Sequence, residues 1–255
     1  MQNAIEAFTS YLNRERSLAD NTIRAYIGDL DSLASHLKAL GVEDLSTLNI
    51  SHLRSWLANQ QSKGASRTTL SRRATSIKLF TKWAFKEGLL PSDTGFNLAT
   101  PKAHRILPEI VDVKTADLAM QSLETFAEET GELTAIRNLA MVEMLYASGA
   151  RVSELCGLNM KDVDYDRSTI RVIGKGSKER VIPIGRPAVA ALEKWLIVRP
   201  KLANDKSGDA VFLGARGKRI DQRQVREVVY KTIELGPHAL RHSAATHLLE
   251  GGADL

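Results

Sequence analysis

The sequence predicts a mainly α-helical protein of two domains, with a small antiparallel β-sheet in the second domain. Three observations predict this fold. Apolar residues recur at helical spacing through the first hundred residues, a proline-rich stretch follows, and two β-branched runs lie within the second part. The length of 255 residues and the apolar fraction of 43% are sufficient for two cores of ordinary size.

The first domain is predicted to contain only helices. The clearest helix begins at Asp20, a residue type that caps helices, and its apolar positions keep helical spacing until Gly41. A shorter helix is predicted around 52–61, and a longer one from about Ser66 to Glu87.

The stretch 91–108 contains three prolines, and this composition is typical of a linker. We therefore assign the first domain to residues 1–95, the linker to 96–112 and the second domain to 113–255.

The second domain is predicted to combine helices with one β-hairpin. The hairpin joins the β-branched runs 169–173 and 180–184 through Gly-Lys-Gly-Ser-Lys-Glu. A last helix is predicted to begin at Pro237, because the N–H that proline lacks would be unused at the first helical position. The other predicted helices span 115–129, 132–148, 187–202 and 221–233.

The charge distribution indicates a polyanionic partner for the first part of the chain. The chain has 35 Lys and Arg against 30 Asp and Glu, a net charge of +5. Residues 1–105 hold 14 basic and 9 acidic residues, so the whole excess lies there. Nucleic acid is the partner that such an excess favours.

Several classes of protein are disfavoured by what the sequence lacks. Cys156 is the only cysteine, which excludes an intramolecular disulfide and fits a reducing compartment. Its neighbours suggest a small buried residue, and a nucleophilic role has little support. No apolar run has membrane-spanning length, and the N-terminus has no signal-peptide pattern. We expect a soluble, cytoplasmic protein with no membrane insertion.

A basic helix is the strongest sign of nucleic-acid binding. From Lys63 to Lys86 there are seven Lys or Arg residues and no acidic residue. Like charges along one helix repel each other unless a partner neutralises them, so duplex DNA is favoured over a merely solvated face. The candidate DNA-binding residues are Arg67, Ser71, Arg72, Lys78, Lys82 and Lys86.

Four further basic residues could act on a phosphodiester. Arg151 follows the helix stop Ser-Gly-Ala, and Glu154 lies three residues on, where it could hold the guanidinium; the alternative is an ordinary surface pair. Lys175 lies between two glycines at the predicted hairpin tip, where a solvated turn lysine is the alternative. His238 and Arg241 are three apart on the last helix, so they share a face.

A metal site is not favoured at the last helix. His242 lies four residues after His238, but Ala239 stands where a metalloprotease motif needs glutamate, and no Cys/His partner set is present. His242 and His247 are therefore interpreted as structural residues, and no metal or other cofactor is expected.

Together these segments resemble the tyrosine recombinase (integrase) family, and within it the Xer recombinases, closest to the XerC branch. The resemblance extends over essentially the whole chain. It is carried by Thr22-Ile-Arg-Ala-Tyr-Ile-Gly-Asp-Leu30, Leu145-Tyr-Ala-Ser-Gly-Ala-Arg-Val-Ser-Glu-Leu155, Gly174-Lys-Gly-Ser-Lys-Glu-Arg180 and Pro237-His-Ala-Leu-Arg-His-Ser-Ala-Ala-Thr-His247.

The resemblance implies a four-helix, SAM-like core-binding domain followed by a mixed α/β catalytic domain. It implies that Arg151 and Arg241 bind the nonbridging oxygens of the scissile phosphate, that Glu154 supports Arg151, that Lys175 is the general acid for the 5′ oxygen and that His238 assists. A tyrosine attacks the phosphate to form a 3′-phosphotyrosyl intermediate, so the bond energy is kept and no cofactor is required.

The resemblance also implies the protein's partners. These are duplex DNA with a dif-like chromosome dimer-resolution site, a second Xer-type recombinase in a heterotetramer, and a DNA translocase of the division septum. The two domains are expected to close around the duplex.

The sequence departs from the family pattern at one point. The family places a second His or Trp and its nucleophilic tyrosine on helices beyond the His-x-x-Arg motif, whereas this sequence stops at Leu255 before both, with no tyrosine after Arg241. Truncation of a longer protein is the favoured interpretation, because the four upstream residues are present. The alternatives are an inactive DNA-binding module or regulator, and an integrase of a mobile element.

Overall fold

The computed structural model describes residues 1–15, 18, 20–101, 110–174 and 178–250, with the backbone alone for residues 15 and 248–250. The chain divides into two compact units, 1–106 and 107–255, each with its own apolar core. Helices predominate in both units, and the described strands form one antiparallel sheet in the second. The predicted fold class is thereby confirmed.

Four helices build the described part of the first unit: α1 (Gln2–Glu15), α2 (Asp20–Ala39), α3 (Ile50–Ser62) and α4 (Arg67–Lys86). The three helices with predicted bounds are confirmed to within two residues at each end. Their apolar stripes meet in a core whose largest fully buried side chains include Phe8, Trp56 and Phe80. Burial of such aromatic side chains contributes a large share of a small domain's stability.

Local interactions at its two ends fix where helix α4 begins and ends. The hydroxyl of Ser66 accepts a hydrogen bond from the Thr69 N–H at 3.2 Å, which caps the first turn. At the other end, Gly88 adopts a φ of 71°, a left-handed conformation that glycine adopts without steric cost. The side that packs on the core is apolar, with Ile77, Phe80 and Ala84 fully buried.

The predicted linker contributes one residue near each end to a core. Leu98 is buried in the first core, and Val111 is buried in the second. Residues 102–109 of this stretch lie outside the described residues.

The second unit is organised around one buried helix. Its helices are α5 (Val113–Thr130), α6 (Leu133–Ser148), α7 (Val152–Gly157), α8 (Arg186–Val198), α9 (Gln222–Ile233) and α10 (Pro237–Glu250). Helix α6 has the most buried residues of the six, among them Met141, Val142 and Met144, and it packs against α5, α8 and α10. A helix that is apolar on nearly all sides belongs in the interior, which is where α6 lies.

The sheet has the order β1 (Val163–Asp164), β2 (Thr169–Ile173) and β3 (Glu179–Pro183). Ile170 pairs with Ile182, and Ile173 pairs with Glu179. The predicted hairpin is confirmed, although its second strand begins and ends one residue earlier than predicted. The hairpin loop 175–177, which includes Lys175, lies outside the described residues.

One predicted helix is too long. The prediction of a helix over 187–202 is wrong at its C-terminal end, because α8 stops at Val198 and a single 3₁₀ turn covers Arg199–Lys201. Pro200 explains the difference. Proline has no N–H to donate to the preceding turn, so the α-helical hydrogen-bond pattern ends there.

Across the described ranges, no helix combines the length and the apolar character that crossing a membrane requires.

Cys156 is buried, as predicted, and burial raises the pKa of its thiol to about 11. Since the thiolate is the reactive form, we expect Cys156 in the folded protein to react with a thiol reagent at pH 8 at least about 100-fold more slowly than in urea-unfolded protein. Timed labelling followed by intact mass measures this ratio. Equal rates in the two states would contradict the buried position.

Candidate active site and DNA-binding helix

Arg151 occupies a tight turn between two helices. Helix α6 ends at Gly149, which adopts a φ of 56° and donates its N–H to the Leu145 carbonyl at 3.0 Å. The chain then turns, and Arg151 directly precedes α7 in an extended conformation. The Ser-Gly-Ala sequence thus fixes the point from which the Arg151 side chain leaves the backbone, and that side chain is about half exposed.

Glu154 gathers three guanidinium groups around one buried carboxylate. Its side chain is only 2% exposed. It accepts hydrogen bonds from the Arg151 backbone N–H at 2.7 Å, from Arg151 Nη1 at 2.9 Å, and from Arg180 Nη1 and Nη2 at 2.8 and 2.7 Å. Arg241 Nη1 lies 3.9 Å from Glu154 Oε2. Residues from α7, β3 and α10 therefore meet at this carboxylate.

Three guanidinium groups around one ionised carboxylate give this cluster a net positive charge. Burial raises the pKa of Glu154, but the hydrogen bonds from Arg180 and Arg151 outweigh burial and hold the pKa below the ordinary value of 4.5. Since the folded pKa lies below the unfolded one, the ionised carboxylate stabilises the fold above that value, and its contribution is lost as the pH falls through the folded pKa. For Arg241, burial and the neighbouring Arg151 lower the pKa.

A cleft of about 330 Å³ opens beside these arginines. Arg151, His238 and Arg241 line it, together with residues from the starts of α7, α9 and α10. Three arginines around one carboxylate, with two of them on a cleft, suit an anionic ligand of phosphate size, because planar guanidinium groups bind phosphate oxygens in pairs.

The histidines of α10 have different surroundings. His238 Nε2 lies 3.0 Å from His242 Nε2, a hydrogen-bond distance, so one of the two rings is the donor. His247 Nδ1 lies 2.8 Å from the hydroxyl of Tyr146 on α6. The described residues include no group of three His, Cys, Asp or Glu side chains arranged to hold a metal ion.

Four of the five predicted catalytic and supporting residues thus lie together: Arg151, Glu154, His238 and Arg241. Lys175 lies outside the described residues, but its neighbour Gly174 is next to the cluster, since a Cβ at that position would lie 3.6 Å from Glu154 Oε1. The sequence did not predict a role for Arg180. Its place in the Gly-Lys-Gly-Ser-Lys-Glu-Arg motif was visible, but nothing in the motif indicates the distant carboxylate.

The basic side of α4 carries the predicted DNA-binding residues of the first unit. Lys82 and Lys86 are exposed and Lys78 is half-buried, and within the described ranges no ion pair joins any of these three lysines. Arg67 is exposed and Ser71 is half-buried at the start of the helix. The surface formed by Arg67, Ser71, Lys78, Lys82 and Lys86 is called the basic face below.

Arg72 has a second, structural role that the sequence did not predict. Its Nη1 bonds to the carboxylate of Asp29 on α2, and also to the Ala25 carbonyl at 3.1 Å. The Asp29 side chain is 3% exposed, and it also accepts a hydrogen bond from the Ser76 hydroxyl at 3.0 Å. Burial raises the pKa of Asp29, while Arg72 and Ser76 act in the opposite direction.

We expect Asp29→Ala to destabilise the protein by about 2–3 kcal/mol, since it removes the carboxylate that Arg72 and Ser76 share. The partial exposure of Arg72 places this value below that of a fully buried pair. Urea unfolding of the complete chain measures the loss. The matched variant Asp31→Ala, two residues further along α2 at an exposed position, is expected to change stability by less than about 0.5 kcal/mol.

Comparison with known proteins identifies the family. Residues 115–255 match the Phage integrase family, and residues 5–88 match the Phage integrase, N-terminal SAM-like domain. The chain is 48% identical to "Tyrosine recombinase XerC" of Mycobacterium sp. (strain JLS), over all of this chain and 88% of that protein. The same values hold for "Tyrosine recombinase XerC" of Mycobacterium tuberculosis (strain ATCC 25177 / H37Ra).

A solved structure shows the same fold. A crystal structure of a lambda integrase (75–356) dimer bound to a COC′ core site matches with a TM-score of 0.75 at 14% identity, over all of this chain and 91% of that one. The family match over more than half of the chain and the 48% identity over all of it lead to one conclusion. This chain belongs to the phage integrase family of tyrosine recombinases.

Proposed function

We propose that this tyrosine recombinase resolves chromosome dimers at dif-like sites in the cytoplasm, together with a second Xer-type recombinase, and that Arg151, Lys175, His238 and Arg241 supply its chemistry. The single observation that carries the assignment of residues is the convergence of Arg151 and Arg241 on one cleft beside Glu154. The names of the 48% identical relatives support the Xer assignment.

The two arginines act on the phosphate. Attack by a tyrosine hydroxyl places additional negative charge on the nonbridging oxygens in the transition state. Donors that are already fixed around those oxygens stabilise this charge without reorganisation, which is a large catalytic term in a site shielded from water. Arg151 is fixed by Glu154, and Arg241 is fixed by its partly buried place on α10.

Proton transfer completes the reaction. The attacking tyrosine gives its hydroxyl proton to His238 and forms a phosphodiester with the 3′ phosphate of the strand, while the departing 5′ oxygen takes a proton from Lys175. In the second step the 5′ hydroxyl of the partner strand returns a proton to Lys175 as it attacks the phosphotyrosine, and the departing tyrosine oxygen takes its proton back from His238. The number of phosphodiester bonds is unchanged, so the chemistry requires no nucleotide or metal.

No tyrosine of the described residues lines the cleft. The residues present account for phosphate binding and proton transfer, and a tyrosine hydroxyl is the nucleophile that the family supplies.

DNA binding is assigned to the basic face of α4 in the first unit. A helix of this kind fits a duplex groove, and its lysines would contact phosphates. We propose that a translocase of the division septum brings two sites together before exchange, since two chromosomal copies of one site must meet.

A plasmid assay tests the function. A supercoiled plasmid with two direct repeats of a dif-like site is incubated with the native protein, with and without a second Xer-type recombinase from the same cells. We expect two smaller circles only when both proteins are present, and we expect the same yield in EDTA. Exchange that requires a metal ion or ATP, or no exchange with any partner, would contradict the proposal.

A further inference from the structure

We propose that Arg180 is a positioning residue that occupies the Glu154 carboxylate and thereby leaves the guanidinium groups of Arg151 and Arg241 available to the substrate phosphate. This inference rests on the proposed function, in which those two arginines hold the scissile phosphate. Arg180 lies on β3, the strand that follows the loop with Lys175. The resemblance to the family implies no role for it.

The contact between Arg180 and Glu154 is the most complete one in the cluster. Arg180 donates two hydrogen bonds, one to each carboxylate oxygen, at 2.8 and 2.7 Å. This bidentate pairing through both terminal nitrogens of the guanidinium is one of the strong charge-assisted hydrogen-bond geometries. Because the Glu154 side chain is 2% exposed, water does not compete for the same oxygens.

Arg151 is bound to Glu154 less completely. It donates its backbone N–H to Oε2 and a single guanidinium nitrogen, Nη1, to Oε1. Its side chain is 53% exposed, against 37% for Arg180, and it lines the cleft. One nitrogen of the Arg151 guanidinium is thus held in place by Glu154, and the side chain lines the cleft in which a ligand would lie.

Arg241 is not bound to Glu154 by a hydrogen bond. Its Nη1 lies 3.9 Å from Oε2, beyond hydrogen-bond distance, and among the described residues this buried nitrogen has no hydrogen-bond partner. A buried donor without an acceptor is costly, so a ligand oxygen that supplies the acceptor is strongly favoured there. A nonbridging phosphate oxygen in the cleft would satisfy this requirement.

Without Arg180, the Glu154 carboxylate would compete with the ligand for the guanidinium groups of Arg151 and Arg241. Both oxygens of Glu154 would then be available to Arg241 and to the second edge of Arg151. The ionised carboxylate would compete with the phosphate for the same donors, inside a site where such pairs are strong. Arg180 therefore acts as the counter-ion that removes this competition.

The Arg180–Glu154 pair also requires a small residue at position 174. A Cβ added at Gly174 would lie 3.2 Å from Arg180 Nη1, tighter than ordinary contact, so a side chain at position 174 would press on this group. The glycine therefore leaves Arg180 free to lie flat against the Glu154 carboxylate.

The test is an epistasis experiment in the native protein. Covalent capture of a nicked duplex is measured in a single turnover for Arg180→Met, Glu154→Gln and the double variant. Glutamine keeps an oxygen for the Arg151 N–H but removes the charge. We expect Arg180→Met to reduce the capture rate about 100-fold, Glu154→Gln about tenfold, and the double variant about tenfold as well, because Arg180 has no carboxylate left to neutralise.

The matched control is Arg171→Met. Arg171 lies on the adjacent strand β2, has a similar exposure and pairs with Asp162 and Glu179 rather than with Glu154. We expect its capture rate to remain within twofold of the wild type. DNA affinity and thermal unfolding verify that each variant folds. If Arg180→Met does not fold, Arg180→Lys takes its place in the same experiment.

Two results would overturn the inference. One is a capture rate of Arg180→Met within twofold of the wild type. The other is a double variant that loses about 1,000-fold, the product of the single losses, since independent structural effects multiply in this way. Failure of the proposed function is distinguishable, because in that case Arg151→Ala itself would leave capture unchanged.

Discussion

Replacing Arg241 by alanine is expected to reduce covalent capture of DNA by the native protein by about 1,000-fold, with affinity for duplex DNA changed by less than about threefold. The reason is the position of this guanidinium on the cleft, with a buried nitrogen that lacks a hydrogen-bond partner among the described residues. It would bind the phosphate oxygens most strongly when they carry the additional charge of the transition state. Arg151→Ala is expected to have an effect of the same size.

The assay for both variants is a single-turnover reaction on a nicked duplex, stopped with denaturant, alongside a filter-binding titration. Arg223→Ala is the matched control, because Arg223 is an exposed arginine on α9 that does not line the cleft. Undiminished capture by Arg241→Ala, or a loss of capture fully accounted for by weaker binding, would defeat the catalytic assignment.

Replacing Lys78, Lys82 and Lys86 together by alanine is expected to weaken DNA binding by about 100-fold at moderate salt and to flatten its salt dependence. Each phosphate contact releases counterions and contributes about −0.9 to the slope of log K against log salt concentration. Loss of three contacts should therefore make the slope less negative by about 2.7. Binding titrations from low to moderate salt measure both quantities.

The control for this variant removes the same number of positive charges from the second unit. Lys161, Lys201 and Lys206 are exposed lysines of the second unit that were not assigned to DNA binding. Their replacement by alanine is expected to change the slope by less than 1. Equal changes in the two triple variants would show that general charge, rather than the basic face, determines binding.

Local patterns were sufficient to predict most of the fold. Helical spacing and a capping residue located α2, α3 and α4, and the alternation of β-branched runs with a glycine-containing loop located the hairpin. These signals come from neighbours in the sequence, and so they can be read from it. The end of α8 was predicted wrongly, although the cause, Pro200, was visible.

Contacts between distant residues could not be predicted in the same way. Arg180 and Glu154 are 26 positions apart, and Arg72 and Asp29 are 43 apart. In each case a strand or helix brings the basic residue to a carboxylate that the packing of the unit has already buried. Neither residue's own neighbours indicate that partner. The prediction of Arg72 as a DNA-binding residue remains, but the structure adds its role in holding α4 to α2.

The central claim is that the cleft lined by Arg151 and Arg241 holds a phosphate through which protein and DNA become covalently joined. The most direct measurement incubates the native protein with a nicked duplex labelled on either side of the cleavage point, and then denatures the mixture. We expect the label on the 3′-phosphate side to remain with the protein and the 5′ side to be released with a free hydroxyl. Release of both labels by denaturant, or retention of the 5′ side, would contradict the account.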